Sequence, residues 1–143
     1  MKKLASYKQF FFDRKAVMSA VDRGARQVLS KFGAFVRRTA KSSIRRRKAV
    51  SNPGQPPSSH TGLLKKLIYF GYDPDHKNVV IGPEPLNGRS DGAHSLEYGG
   101  RQRIRTSGRK RVNAIYRARP FMGPAFDKEK PKLPAMWAGS VKP

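Results

Sequence analysis

No cysteine occurs in the chain, which excludes disulfides and thiolate metal sites and fits synthesis in a reducing compartment. Acids are scarce as well: nine Asp and Glu stand against 31 Lys and Arg, for a formal net charge of +22. So few carboxylates, scattered along the chain, leave little room for the cluster that Mg²⁺-dependent chemistry on nucleic acid requires. Long apolar runs are missing too. The basic opening Met1, Lys2, Lys3, Leu4 is followed only by Phe10, Phe11 and Phe12 before Asp13 and Arg14 interrupt. Neither an export signal nor a membrane span is expected from that pattern.

What is present begins with the charge itself. A positive density this high repels itself unless a polyanion or acidic neighbours supply the counter-charge, so a partner is implied. Phosphates reward clustered Arg and Lys through counterion release, although an acidic protein surface or an anionic membrane uses such a patch as well. The hydrophobic share of 37% leaves out the 13 glycines. Counting them, the chain is ordinarily globular, and its 143 residues suit one domain with arms.

From residue 13 to about 48 there is no proline, and Val17, Val21, Ala25, Val28, Phe32, Val36, Ala40 and Ile44 recur at the spacing of one helix face. The pattern predicts one long helix with Asp13 as its N-cap and Arg45, Arg46, Arg47 and Lys48 at the negative end of its dipole. The three prolines of the loop 51–61 forbid its continuation. A short helical turn is expected at Thr61, Gly62, Leu63, Leu64. A hairpin then pairs 68–72 with 78–82 around Asp73, Pro74, Asp75 and His76. Residues 93–98 read as a strand or a short helix. Residues 101–111 read as a basic finger turning at Ser107 and Gly108, and 112–117 as a further strand. Pro120 to Phe126 opens a final helix that Pro131 cuts short, before an irregular tail. The fold class is therefore α+β: one long N-terminal helix packed on a small antiparallel β-sheet, a short C-terminal helix, an extended basic loop and arms. The expected divisions within 1–143 are an N-terminal arm 1–12, the helix 13–48, the Pro-rich loop 51–61, sheet and final helix 62–130 with the finger 101–111, and a C-terminal arm 131–143.

Two basic clusters stand out. Arg37, Arg38, Lys41, Arg45, Arg46, Arg47 and Lys48 carry no acid between them, and Arg37, Lys41 and Arg45 share one i, i+4 stripe of a helix. Arg101, Arg103, Arg105, Arg109, Lys110 and Arg111 form the second. A solvated face is the plain alternative, but unbalanced like charges at that spacing cost stability, which favours a partner surface facing DNA or acidic protein. No DNA-reading motif accompanies them, so sequence-specific binding is not expected. The aromatics divide into a core set (Phe32, Phe35, Tyr69, Phe70, Phe126) and an exposed set. Phe10, Phe11, Phe12, Leu133, Met136 and Trp137 are candidates for a subunit-interface arm, the last three either folding back or docking on a neighbour. On that view, deleting 132–143 weakens assembly and leaves melting largely intact. His60, His76 and His94 lie in loops or at element edges, and Asp73 and Asp75 beside His76 are explained by their turn. No nucleophile with a base, metal site or nucleotide loop is found. No enzyme and no cofactor is expected.

The order of motifs is more telling than any one of them. A long amphipathic helix leads to Pro53-Gly54-Gln55-Pro56-Pro57, then Thr61-Gly62-Leu63-Leu64, then Ile81-Gly82-Pro83, then Glu97-Tyr98-Gly99-Gly100, and finally Arg119-Pro120-Phe121-Met122-Gly123-Pro124-Ala125-Phe126. This order resembles the neck and tail-completion family of tailed bacteriophages, over about residues 13–127. The resemblance implies a virion structural protein assembled in the host cytoplasm. It would form a ring of six or twelve copies between the connector or adaptor and the tail tube or its terminator, with genomic DNA passing through and no membrane contact. The finger 101–111 is more basic than that family pattern requires. The rival reading is a non-specific nucleic-acid-binding basic module, such as a ribosome-associated or nucleoid protein.

Overall fold

A computed structural model describes residues 13–85, 91–105 and 110–142. Phe10, Phe11, Phe12, Arg109 and the turn at Ser107 and Gly108 lie outside the described residues. The elements run α1 (Arg14–Ser43), α2 (Leu63–Lys66), β1 (Ile68–Asp73), β2 (Asn78–Pro83), α3 (Asp91–Tyr98), β3 (Gly100–Arg105), β4 (Arg111–Tyr116), α4 (Met122–Glu129), a 3₁₀ turn (Lys130–Lys132) and α5 (Leu133–Trp137). The class is α+β, with the long helix packed on an antiparallel hairpin and short helices following at the C-terminal end.

Helix α1 starts where expected, with Asp13 Oδ1 accepting from the Ala16 N–H at 2.9 Å. Its 30 residues span about 45 Å at ~1.5 Å per residue. It ends earlier than the apolar spacing suggested. Ser42 and Ser43 turn their hydroxyls back onto the carbonyls of Thr39 and Ala40, both at 2.8 Å, and Ile44 goes extended at φ −80°, ψ 116°. Back-bonding hydroxyls compete with the helical ladder. Ile44 still reaches the core, but as an extended residue, and Arg45 bridges in parallel to Ser58 of the Pro-rich loop. Arg45, Arg46, Arg47 and Lys48 therefore do not sit at a helix end, and of the expected cations only Lys41 occupies the last turn.

The buried stripe of α1 is Ala20, Gly24, Val28, Phe32, Val36 and Ala40, a run at i, i+4. In its first half the buried face is rotated from the expected Val17, Val21, Ala25 line, and Val17 and Val21 are exposed at 42% and 39%. The rotation follows the glycine: a Cβ on Gly24 would lie 2.9 Å from the Ser140 carbonyl oxygen, so the chain's last described turn crosses α1 where there is no side chain. Gly33 plays the same part for the hairpin, since a Cβ there would meet Val79 Cγ2 at 2.8 Å and Phe70 Cδ2 at 2.9 Å. The core gathers Phe32, Val36, Ala40, Ile44, Leu64, Ile68, Phe121 and Ala125, with Val79, Ile81, Leu96, Met122, Leu133 and Met136 packed around it. Of the aromatics expected inside, Tyr69 and Phe126 are substantially exposed, and Phe126 meets Phe32 edge-on at 5.6 Å.

The strands form two separate two-stranded sheets rather than one. Hairpin β1–β2 pairs Ile68 with Pro83 and Asp73 with Asn78, and it lies on α1. Hairpin β3–β4 pairs Gly100 with Tyr116 and Arg105 with Arg111. Its main packing outside itself is against α3. The arginines at every second position of β3 put their charge on one face of this hairpin, and that face cannot join an apolar core without leaving charges unpaired. Residues 93–98 belong to helix α3.

The C-terminal stretch is not irregular. Pro131 and Pro134 each occupy the opening positions of a helical turn, where a missing N–H costs nothing. They start the 3₁₀ turn and α5 rather than ending helicity. Leu133 and Met136 thereby fold back onto this subunit's own core.

Candidate functional site

Of the first basic cluster, part is bound into the fold. Arg37 Nε donates to the Ile68 carbonyl at 2.8 Å, and its guanidinium lies 5.9 Å from the Tyr69 ring centre, as does the Lys41 ammonium. Arg38 lies over Phe35 at 5.7 Å. Lys41 is held below its ordinary pKa, first by partial loss of water and then by the like charges of Arg37 and Lys65. Tyr69 thus sits beside two cations, Arg37 and Lys41. Beyond the helix end, Arg47 Nε donates to Ser58 Oγ at 2.8 Å. Ser42, Ser43, Arg45, Arg47, Gln55 and Pro56 line an open depression of about 490 Å³. Arg46 and Lys48 are exposed.

The second cluster is carried on the β3–β4 hairpin. Arg101 lies opposite Ile115, Arg103 opposite Asn113, and position 105 opposite Arg111. Directly opposed residues of an antiparallel pair share a face, and alternate residues along a strand share it too. Positions 101, 103, 105, 111, 113 and 115 therefore form one face, and Gln102, Ile104, Val112, Ala114 and Tyr116 the other. Arg101, Arg103, Lys110 and Arg111 are exposed.

The base of this hairpin is where the separate motifs meet. The N–H groups of Phe121, Met122 and Gly123 donate to the two carboxylate oxygens of Glu97 at 2.8, 3.0 and 2.7 Å. A carboxylate at the start of α4 satisfies amides that have no helical partner and meets the positive end of the dipole. Arg119 N–H donates to the Leu96 carbonyl at 2.6 Å and Gly54 N–H to the Ala118 carbonyl at 2.8 Å, while Arg119 Nε reaches the Ser51 carbonyl at 2.9 Å. Gly99 has φ +74°, and a Cβ on it would stand 2.9 Å from the Tyr116 carbonyl oxygen. Only glycine suits that corner.

Five of the nine acids, Glu97 among them, are bound into the frame. Asp13 caps α1, Asp22 pairs with Lys77 at 2.7 Å, and Glu129 accepts from Thr39 at 2.7 Å and Lys132 at 2.6 Å. Asp73 Oδ1 accepts from the N–H groups of Asp75 and His76, and its Oδ2 lies 2.7 Å from His76 Nδ1. The turn accounts for that group, and the His76 contact holds the Asp73 carboxyl below its ordinary pKa. Among the described residues none of Arg38, Arg45, Arg46, Lys48, Arg101, Arg103 and Arg111 meets a carboxylate. The His94 ring lies 4.8 Å from that of Tyr98, and His60 is exposed. Among the described residues no three of His, Asp and Glu stand together as metal ligands, and no helix is long and apolar enough to cross a membrane.

Of the expected interface arm, Leu133 and Met136 are half-buried on their own subunit, and Trp137 remains 39% exposed. Val17, Met18, Val21 and Val141 are exposed as well. Sequence reading did not single out the capping role of Glu97 or the place of Tyr69 and Lys65 among the cations. Glu97 stood in its motif as one of few acids, which was the available signal. Comparison with family models, curated proteins and solved structures finds no match to this chain.

Proposed function

We propose that the protein is a structural component of the bacteriophage head-to-tail joint, a neck or tail-completion protein. It would form a ring that links the connector to the tail and surrounds the path of the DNA. The observation that carries this reading is the meeting of its motifs. The Pro-rich loop, the Glu97 to Gly100 corner and the Arg119 to Phe126 segment lie far apart in sequence and bond directly to one another. They make one frame, as residues of a common structural pattern would. Two exposed basic surfaces, free of internal carboxylates at the positions named, supply the partner faces that a ring between other proteins and DNA needs.

Sedimentation velocity across a salt series tests the assembly. Species near six or twelve times the 16.0 kDa protomer mass support the ring, with the salt dependence reporting how charge repulsion opposes closure. A protomer that stays monomeric at every salt concentration, and at concentrations well above micromolar, counts against it. The gene neighbourhood offers a second check. Portal, capsid and tail-tube genes alongside favour the neck, whereas ribosomal or replication genes favour the rival reading, a non-specific nucleic-acid-binding module. The exposed cations favour that rival equally. The joined motifs do not.

A further inference from the structure

We infer that the β3–β4 hairpin is a sequence-independent contact for double-stranded DNA, with the face bearing Arg101, Arg103 and Arg111 laid along the phosphates. The inference deepens the neck reading and rests on it only for the identity of the duplex as the packaged genome.

Geometry favours a regular polyanion over an acidic protein surface. Side chains at i and i+2 of a strand lie about 6.7 Å apart, close to the roughly 7 Å that separates neighbouring phosphates on one DNA strand once the winding of the strand is added to its axial rise of about 3.4 Å. Arg101 and Arg103 therefore match the spacing of two neighbouring phosphates. Arg111, opposite position 105, extends the row across the ribbon. A two-stranded antiparallel ribbon has the width that the major groove of a duplex admits. The hairpin stands clear of the α1 core, its packing beyond itself being mainly against α3 at its base, so a rod-like ligand can reach it. Sequence adds that no acid occurs between Glu97 and Asp127.

A protein interface would want a large apolar anchor at the centre of this face. Among its described residues the centre is Asn113 opposite Arg103, and Ile115 lies towards the base beside Arg101. The first cluster is partly committed to its own fold. Arg37 and Arg47 are committed to Ile68 and Ser58, and Arg38 and Lys41 lie over rings of their own subunit. Contacts to phosphates position a duplex without reading its bases, which agrees with the lack of any base-reading motif.

The test is fluorescence anisotropy of a labelled random-sequence duplex of roughly 30 base pairs, titrated with the full chain over a salt series. Each neutralised phosphate contributes about 0.9 to the slope of log K against log salt. The triple variant Arg101→Gln, Arg103→Gln, Arg111→Gln is expected to lower the slope by about 2 to 3 while its melting temperature stays at that of the wild type. The comparison variant Arg45→Gln, Arg46→Gln, Lys48→Gln is expected to lower the slope by less than the hairpin variant does, and an equal or larger loss overturns the assignment of the contact to the hairpin. An unchanged slope in the hairpin variant overturns the assignment, as does a wild-type protein that binds no duplex. If the slope is unchanged but the variant no longer docks on tail tubes, the hairpin faces an acidic protein and the DNA assignment is wrong. Wild-type protein that forms no rings, yet loses slope in the hairpin variant, defeats the neck reading and leaves the hairpin assignment standing.

Discussion

Replacing Glu97 by alanine removes one side chain and strands three donors. The N–H groups of Phe121, Met122 and Gly123 lose acceptors at 2.8, 3.0 and 2.7 Å. Phe121 is fully buried, so its amide is poorly placed to find water instead. Loss of a capping side chain costs about 1–2 kcal/mol, and loss of a negative charge at a helix N-terminus adds about 0.3–1 kcal/mol. A total near ~2–3 kcal/mol follows. With an unfolding entropy of roughly 2.1 cal/mol/K per residue, a chain of this length loses about 3 °C per kcal/mol, so Tm falls by about 6–10 °C. Glu97→Gln keeps the shape and one acceptor oxygen but loses the charge, and is expected to fall by about half as much. Calorimetry of the three proteins at pH 7 measures this directly. A shift in Glu97→Ala below about 2 °C would mean that the carboxylate does not hold α4 and that the motifs are neighbours without being joined.

Gly33→Ala gains helix propensity of about 1 kcal/mol, but presses its Cβ into Val79 and Phe70 of the hairpin on α1. Overpacking there is expected to win, for a net loss of about 1–2 kcal/mol by denaturant unfolding, and a stabilised variant would refute the close approach. Deleting 132–143 strips Leu133 and Met136 from the core cluster and is expected to lower Tm by roughly 5–10 °C, from about 2–3 kcal/mol of lost burial. This reverses the expectation drawn from sequence, and an unchanged melt would restore it. Glu129 is held below its ordinary pKa, first by Lys132 and then by Thr39. Its contribution is therefore present above the unfolded value and is lost as pH falls from about 4.5 through the lowered folded value. Glu129→Gln should flatten that part of the stability curve, and an unaltered acid limb in the variant would show that the pairing does not matter.

Helix α1, the first hairpin and the start of α4 were legible because each is written locally, in an uninterrupted i, i+4 stripe, a Pro and Asp turn, and an Arg-Pro step. The end of α1 was not. Ile44 falls on the stripe and is buried, yet it is buried from an extended backbone, because Ser42 and Ser43 close the helix and Arg45 bridges to Ser58. Periodicity registers burial and cannot tell which backbone delivers it. The prolines at 131 and 134 misled in the opposite direction, since proline breaks a helix interior but suits a first turn. At the candidate surfaces the clusters could be read from composition. Their division between cations tied to Ile68, Phe35, Tyr69 and Ser58 and cations standing out on a hairpin depends on contacts between residues far apart in sequence. Glu97 shows the same limit: its acceptors' partners lie 24 to 26 residues away.

The central claim is that this chain closes into a ring at the joint between head and tail, and negative-stain imaging of the purified protein with isolated tail tubes tests it most directly. Imaged across a salt series that screens the repulsion of +22 protomers, the account predicts rings of a single symmetry and caps on one end of the tubes. Monodisperse monomers that leave both tube ends bare, while binding any duplex with a steep salt dependence, would contradict it and give the protein to the class of non-specific nucleic-acid-binding modules.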